Sequence, residues 1–302
     1  MYDIIIIGGG PAGLTAALYA LRAEKSVLVL EKSGLGGQIA LSGKVENFPG
    51  VAQMSGAEFA ETLSGQVEAL GGQIEYEAAL EIKDGAVKTV VTDFGQYEAK
   101  SVIIATGVQN RRLGVKGEDE FIGRGVSFCA VCDGAFYKGK TVAVIGGGNT
   151  AVEDAEYLSD IAEKVYLIHR RDEFRAEERL VKRLAERTNV EFVLDSTVQE
   201  FCGGTDGING IDVVNVKTNE VRHIALDGAF VAVGQIPQND IFKGLIAIDD
   251  GGFISAGENC FTDKKGIFVA GDCRNKNVRQ LTTAVGDGSV AALAAVSFVS
   301  EN

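Results

Sequence analysis

The segment Phe128-Cys-Ala-Val-Cys-Asp-Gly134 carries the residues best suited to chemistry in this 302-residue chain. Two cysteines with two residues between them, Cys129 and Cys132, can close a small disulfide ring and reopen it. A thiolate in such a pair is often stabilised and is then a good nucleophile near neutral pH. Asp133 follows directly and can move a proton to or from whatever leaves. The segment lies between two glycine-rich fingerprints, Gly8-Gly-Gly-Pro-Ala-Gly13 and Gly146-Gly-Gly-Asn-Thr-Ala151. A dithiol between two dinucleotide sites points to electrons passing from one cofactor, through another, to a disulfide. The plainer readings are a structural zinc site or two buried thiols. Zinc needs further ligands, and the chain offers no second cysteine pair and only His169 and His223. No metal site is expected.

Each fingerprint needs elements to hold it. Residues 2–7 read as a buried parallel strand, a short apolar run ended by glycine. Gly8, Gly10 and Gly13 then open a helical stretch, and residues 26–30 form a second strand with Glu31 at its end. The glycines permit the tight turn, the approach of backbone to a pyrophosphate and close helix–strand packing. The helix N-terminus holds phosphates, and Glu31 can accept hydrogen bonds from a ribose. Helix over 57–70, short strands over 72–100 and a buried strand over 101–105 follow. The Arg- and Gly-rich residues 110–117 read as a linker.

After the cysteine pair the arrangement recurs, with strands over 141–145 and 164–168 and a helix over 150–159. Glu31 lies 23 residues after Gly8, and His169 lies 23 after Gly146. Ala105-Thr-Gly107 in the first copy matches Ala232-Val-Gly234 in the second. The copies differ where it matters chemically. The second has no strand-end acid but His169-Arg170-Arg171, with Arg175 four residues further on. An acid favours a ribose 2′-hydroxyl, whereas guanidiniums favour a 2′-phosphate. The plainer reading is a solvated charged stretch in which Asp172, Glu173, Glu177 and Glu178 pair with these arginines. The missing acid favours phosphate and therefore NADPH. Beyond a second linker at 235–239, a strand over 266–270 ends at Gly271-Asp272 and a small-residue helix covers 282–298. An acid placed there fits the ribityl side of FAD, which returns the tail to the first domain.

These pieces together closely resemble the low-molecular-weight, bacterial type of thioredoxin reductase, over essentially the whole chain. The most specific part is Cys129-Ala-Val-Cys-Asp-Gly134 shortly before Gly146–Glu153, with His169–Ala176 after it. Val45–Gly50, Ala270–Asp272, Val278–Gln280 and Gly286–Gly288 also match the family pattern. The resemblance implies an α/β chain of two Rossmann-like dinucleotide-binding domains. An FAD domain would be discontinuous over 1–112 and 240–302, and an NADPH domain carrying the CxxC would cover 113–239. It implies that Gly8, Gly10, Gly13 and Glu31 hold the FAD phosphates and ribose. Gly37, Gln38 and Asn47 would lie by the flavin, with Asp272, Arg279 and Gln280 on its ribityl and pyrimidine side. Gly148, Asn149 and Thr150 would cradle the NADPH pyrophosphate, and His169, Arg170, Arg171 and Arg175 its adenosine phosphate.

The activity implied is reduction of a thioredoxin, or thioredoxin-like, disulfide by NADPH through FAD and the dithiol. Cys132 would face the flavin, Cys129 would be the interchange thiol, and Asp133 the acid–base. Because both cysteines precede the second fingerprint, they and NADPH belong to one domain and the flavin to the other. The two must then rotate against each other in every turnover. Family members are homodimers, and a homodimer is expected here. The chain departs from the family in having Ala135, where two aromatics commonly follow Asp-Gly, and Gln235, where a histidine is frequent. Alternatives that keep the fold take electrons from ferredoxin or serve a peroxidase; one from another class is a nucleotide-binding redox sensor without turnover.

Composition narrows the setting. A net charge of −13 argues against nucleic acid, which needs a clustered basic surface. Five cysteines, with Cys202, Cys260 and Cys273 standing alone, make no disulfide framework and fit a reducing compartment. The N-terminal apolar run stops at Gly8 without a basic region or cleavage site, and no later run is expected to reach membrane-span length. A soluble cytoplasmic protein is expected.

Overall fold

Ile4–Ile7 offers apolar side chains to both sides of a strand, so it belongs in a sheet covered on both faces; all four are buried. The computed structural model describes residues 1–301. From the N-terminus, β1 (Tyr2–Ile7) leads into α1 (Pro11–Arg22), β2 (Val27–Leu30), α2 (Gly56–Ala69) and β3 (Gln73–Glu75). Then come β4 (Ala79–Lys83), β5 (Lys88–Thr92), β6 (Gln96–Ile104), β7 (Val108–Asn110) and α3 (Glu118–Phe121). They are followed by β8 (Val126–Ser127), α4 (Ala130–Asp133), β9 (Thr141–Gly146), α5 (Asn149–Ser159) and β10 (Lys164–Ile168). Next are α6 (Glu178–Ala185), β11 (Val190–Val193), β12 (Ser196–Gly204), β13 (Gly207–Asn215), β14 (Val221–Ala225) and β15 (Gly228–Ala232). The chain closes with β16 (Gln235–Pro237), β17 (Ile267–Val269) and α7 (Leu281–Glu301). Two compact units result: Met1–Gln109 with the return segment from Ile236, and Asn110–Gln235. The crossings are β7 and β16, two short strands paired with each other where the sequence shows only polar linkers.

The first unit is built on one sheet of order β3-β2-β1-β6-β5-β4, with β17 also on β6. Its nine-residue β6 does two jobs. Gln96–Ala99 pairs antiparallel with β5, while Val102–Ile104 pairs parallel with β17. This second pairing brings the return segment back to the first sheet. Helix α7 is long and apolar enough, by composition, to cross a membrane, which corrects the expectation that no later run approaches that length. Its inward residues nonetheless read as core: Ala284, Gly288, Ala291, Ala292, Ala295 and Val299 are buried. A Cβ on Gly288 would overlap the carbonyl oxygen of Ala12, so the glycine lets α7 lie close on α1.

Helix α7 also buries a charge. Arg274 is 2% exposed and grips Asp287 with two hydrogen bonds, Nε to Oδ2 at 2.8 Å and Nη2 to Oδ1 at 2.9 Å. Asp287 accepts further bonds from the Gly271 N–H at 2.9 Å and from Lys276 Nζ at 3.0 Å. Burial opposes its ionisation, but Arg274 and Lys276 outweigh that and hold the carboxyl below the usual range. The carboxylate therefore anchors the turn after β17, where Asp272 sits. Asp287→Ala leaves a buried guanidinium without its partner and is expected to cost ~3 kcal/mol of stability, read by urea unfolding. Because the native pKa is lowered, the pair's stabilisation is present above the unfolded carboxyl pKa. It is lost as pH falls through the native pKa, so the wild-type advantage over Asp287→Ala shrinks in acid.

The second unit repeats the plan. Its sheet, β11-β10-β9-β15-β8, is parallel throughout, and β12-β13-β14 form a separate antiparallel sheet. The internal repeat extends to single contacts. A Cβ on Gly8 would overlap the carbonyl oxygen of Ala105, and one on Gly146 would overlap that of Ala232.

Candidate functional site

Each glycine fingerprint follows the carboxyl end of a central parallel strand, where ligands of open α/β sheets bind. In the first unit a Cβ on Gly13 would overlap the Gly8 carbonyl oxygen, so α1 can start this close to β1 only with glycine there. Gly10, by contrast, has open space where a side chain would project. It precedes an α1 first turn that has no side-chain cap and no acid, leaving backbone N–H groups for an anion. Glu31 is buried at the end of β2. Its Oε2 accepts the Gly9 N–H at 2.7 Å, and its Oε1 accepts those of Ser33 and Gly34 at 2.8 and 3.2 Å. The acid thus fixes the loop as well as facing the cradle. Gly37, at φ +57°, comes back within 3.6 Å of Gly10 Cα, measured from where its Cβ would lie.

The remaining residues of this unit gather around the turn after β17. Asn47 Nδ2 donates to Gln280 Oε1 at 3.4 Å. Arg279 stacks 4.2 Å above the Phe253 ring. Asp272 Oδ1 is buried and, among the described residues, has no hydrogen-bond partner; burial pushes its pKa up. A buried acceptor without a donor is costly, and a ligand hydroxyl there would satisfy it. The open Gly10 backbone and this acceptor fit a bound FAD.

The second cradle is built alike but with a different rim. Gly148 is open, and α5 begins at Asn149 with neither a side-chain cap nor an acid in its first turn. Asn149 Oδ1 accepts the Glu177 N–H at 2.9 Å, and Thr150 is exposed. His169 is turned inward: its ring lies where a Gly147 side chain would be, stacks on Phe174, and places Nε2 3.1 Å from the Glu173 carbonyl oxygen. Burial, reinforced by the Arg171, Arg170 and Arg175 charges, lowers its pKa. Arg170, Arg171 and Arg175 are exposed around it. Three of the four acids that could neutralise them pair with other cations: Asp172 with Lys217, Glu177 with Arg179 and Glu178 with Lys182. Among the described residues no ion pair engages the three arginines, so the rim fits a nucleotide bearing an extra phosphate.

The dithiol follows the carboxyl end of β8, the outer strand of this same parallel sheet. Cys129 follows β8 and is joined by a disulfide to Cys132, across the single turn α4. The Cys132 N–H points at Cys129 Sγ, 3.2 Å away. Both cysteines are half-buried, and Val131 between them is 52% exposed. A Cβ on Gly134 would come within 3.0 Å of Leu158 and Tyr157, so the glycine seats the turn against α5, the helix of the second cradle. Asp133 Oδ2 accepts the Ser127 hydroxyl at 2.6 Å, and that hydroxyl accepts the Cys129 N–H at 3.1 Å. Burial raises the Asp133 pKa, and the Ser127 bond pulls against it. Ser127 is a functional candidate that sequence reasoning missed; a serine two residues before the first cysteine was its only signal. Ala135 is exposed and Phe136 half-buried, while Gln235 Nε2 donates to Asn110 Oδ1 at 3.3 Å.

Two nucleotide cradles and a disulfide beside the second of them define a pyridine nucleotide-disulphide oxidoreductase, and the pattern of that family matches residues 2–288. The chain is 41% identical over 302 residues to a thioredoxin reductase of Listeria monocytogenes, covering all of this chain and 95% of the relative. It is likewise 41% identical over 302 residues to one of Bacillus subtilis, covering all of this chain and 96% of that one. The solved thioredoxin reductase of Streptococcus pyogenes superposes with a TM-score of 0.97 at 42% identity, over 100% of this chain and 99% of that one. The chain belongs to the thioredoxin reductase family.

Proposed function

We infer that this protein reduces the disulfide of thioredoxin, or of a thioredoxin-like protein, with electrons from NADPH. The observation that carries the reading is the Cys129–Cys132 disulfide, seated by Gly134 on the helix of the arginine-rimmed cradle. When bound, FAD supplies the redox step that takes a hydride from NADPH and returns the electron pair to a disulfide. Gly8, Gly10, Gly13 and Glu31 would hold its phosphates and ribose. Gly37, Gln38 and Asn47 would flank its ring system, and Asp272, Arg279 and Gln280 its ribityl and pyrimidine side. Gly148, Asn149 and Thr150 would hold the NADPH pyrophosphate. Arg170, Arg171 and Arg175 would hold its 2′-phosphate, with His169 supporting the loop from within.

The reduced dithiol does the protein chemistry. Cys129 Sγ, as thiolate, attacks one sulfur of the partner disulfide, and the other partner sulfur leaves and takes a proton. Cys132 Sγ then attacks Cys129 Sγ, freeing the second partner sulfur and closing the Cys129–Cys132 bond again. Asp133, next to Cys132, would deliver and recover these protons. Reading Cys129 as the interchange thiol rests on the Cys132 N–H aimed at its sulfur, which favours its thiolate. Exposed Val290 and Leu293 on α7 support a second copy of the chain as partner, hence a homodimer. Cys202, Cys260 and Cys273, none of them in a disulfide, support a reducing, cytoplasmic setting.

The test is an anaerobic titration. A yellow protein bleached by NADPH and recoloured by thioredoxin disulfide is this enzyme; one that NADPH leaves yellow is not. Asp133→Asn is expected to slow dithiol–disulfide exchange by roughly 10²–10⁴-fold. Ser127→Ala removes a bond that favours the charged carboxylate, so the Asp133 limb of the pH–rate profile should move to higher pH. An unmoved limb would assign it to another group.

A further inference from the structure

The three cysteines outside the dithiol differ in their surroundings. Cys260 and Cys273 are fully buried, but Cys202 opens onto a surface with other ligating groups. It lies on β12, while Asp212 lies on β13 and His223 on β14. Register sets Glu200 opposite Asp212 and Cys202 opposite Gly210. It also sets Asp212 opposite His223 and Gly210 opposite Ala225. Because side chains alternate along a strand, these six residues form two rows on one face. Phe201, Ile211 and Ile224 point to the other face and are buried.

Gly210 lets the groups in the two rows converge. The His223 ring leans out of its own row across Gly210, where a Cβ would sit 2.7 Å from both Cε1 and Nε2. Its Nδ1 is 2.6 Å from Asp212 Oδ1. Cys202 stands on the far side of the glycine. The sulfur, a carboxylate oxygen and a ring nitrogen all lie within 4.8 Å of one another. Ligands of a tetrahedral zinc ion stand about 3.3–3.6 Å apart, so small side-chain rotations suffice to close the set. Shifts of register on either side of Glu200–Cys202, between Val198 and Glu200 and between Cys202 and Gly203, bracket the segment. Such irregularities re-aim side chains. An imidazole–carboxylate pair by itself is an ordinary surface contact. The thiol, on the third strand, also reaches Asp212, and the glycine over which the His223 ring leans is not explained by the imidazole–carboxylate pair.

We propose that Cys202, Asp212 and His223 bind a divalent transition ion of the zinc class, using none of the residues of the dithiol or the nucleotide cradles. Thiolate with imidazole selects such an ion over calcium or magnesium, which take oxygen ligands. Three protein ligands leave a fourth position to water. On binding, the Cys202 proton passes to solvent and a sulfur–metal bond replaces the S–H bond. Glu200, on the same face, is paired with Lys116 Nζ at 2.6 Å and so brings no uncompensated charge to the site. The ion ties three strands together and so raises the thermal stability of the holoenzyme.

The experiment uses the FAD-loaded protein with the Cys129–Cys132 disulfide intact, so that this pair cannot compete for metal. Cobalt(II) is the probe, because its tetrahedral bands fall in the red, beyond the absorption of oxidised flavin. One equivalent should give those bands with a thiolate charge-transfer band, and zinc should abolish both. Cys202→Ser should remove the charge-transfer band and weaken binding at least ~100-fold, a first ligand counting for no less than a supporting one. His223→Gln, at an exposed position, and Gly210→Ala, which keeps all three ligands, should each weaken binding at least ~10-fold. All variants are checked for full FAD content first. Absence of bound cobalt at millimolar concentration, or an unchanged spectrum in Cys202→Ser, overturns the proposal.

Discussion

Serine in place of Cys132 will let the reduced protein attack thioredoxin but not release it. Cys129 keeps its sulfur and its position at the head of α4, so the first exchange proceeds. The second requires the Cys132 sulfur and stops. A mixed disulfide between Cys129 and the partner should therefore accumulate, visible as a covalent adduct on a non-reducing gel. Steady-state turnover should fall at least ~1,000-fold, as when a nucleophile acting in a set is removed. With Cys129 as the proposed interchange thiol, Cys129→Ser should lose turnover to the same extent and form no adduct. The asymmetry follows from the Cys132 N–H, 3.2 Å from Cys129 Sγ. The backbone donor survives the serine substitution at 132, so the Cys129 thiolate remains favoured in that variant. An adduct formed by Cys129→Ser and absent from Cys132→Ser would exchange the two roles.

What could be read in the sequence was set by backbone geometry. Gly8, Gly13 and Gly146 stand where a Cβ would overlap a carbonyl oxygen or a neighbouring side chain, so both cradles and their repeat are written in residue types at fixed spacing. Apolar runs such as Ile4–Ile7 marked the central strands for a different reason, burial on both faces of the sheet. Contacts made by the fold itself were not legible. Ser127 reaches Asp133 only because a single turn follows β8, and Arg274 meets Asp287 only because α7 packs over the turn after β17. Residues 196–225 gave no element at all, since their alternation is broken by glycines and by register shifts. Cys202 consequently looked solitary until three strands brought Asp212 and His223 beside it. The pairing of Asp172, Glu177 and Glu178 with cations other than Arg170, Arg171 and Arg175 was likewise open in the sequence, which offered both possibilities.

That distribution of charge leads to the largest expected effect on cofactor choice. Arg170, Arg171 and Arg175 project from the end of β10 and the loop after it without a carboxylate partner among the described residues. Unpaired guanidiniums can each donate charge-assisted hydrogen bonds to a dianionic 2′-phosphate, whereas the plain hydroxyl of NADH offers no charge to pair with. Arg175 is also tied to the cradle through its own N–H, which donates to the Gly147 carbonyl oxygen at 2.8 Å, so its position is set by the fingerprint itself. Replacing Arg170 or Arg175 by Ala removes a charged hydrogen bond worth roughly 1.5–3 kcal/mol, or about 10- to 150-fold in NADPH affinity. The double variant should lose more than either single one, though less than the product, since the two charges share one phosphate. NADH use should barely change in any of them. The measurement is kcat/KM for both nucleotides, across the three variants and over a range of salt. Added salt should narrow the gap between wild type and variants, because exposed charges are screened. Equal losses for NADPH and NADH would mean that the arginines support the loop and not the phosphate.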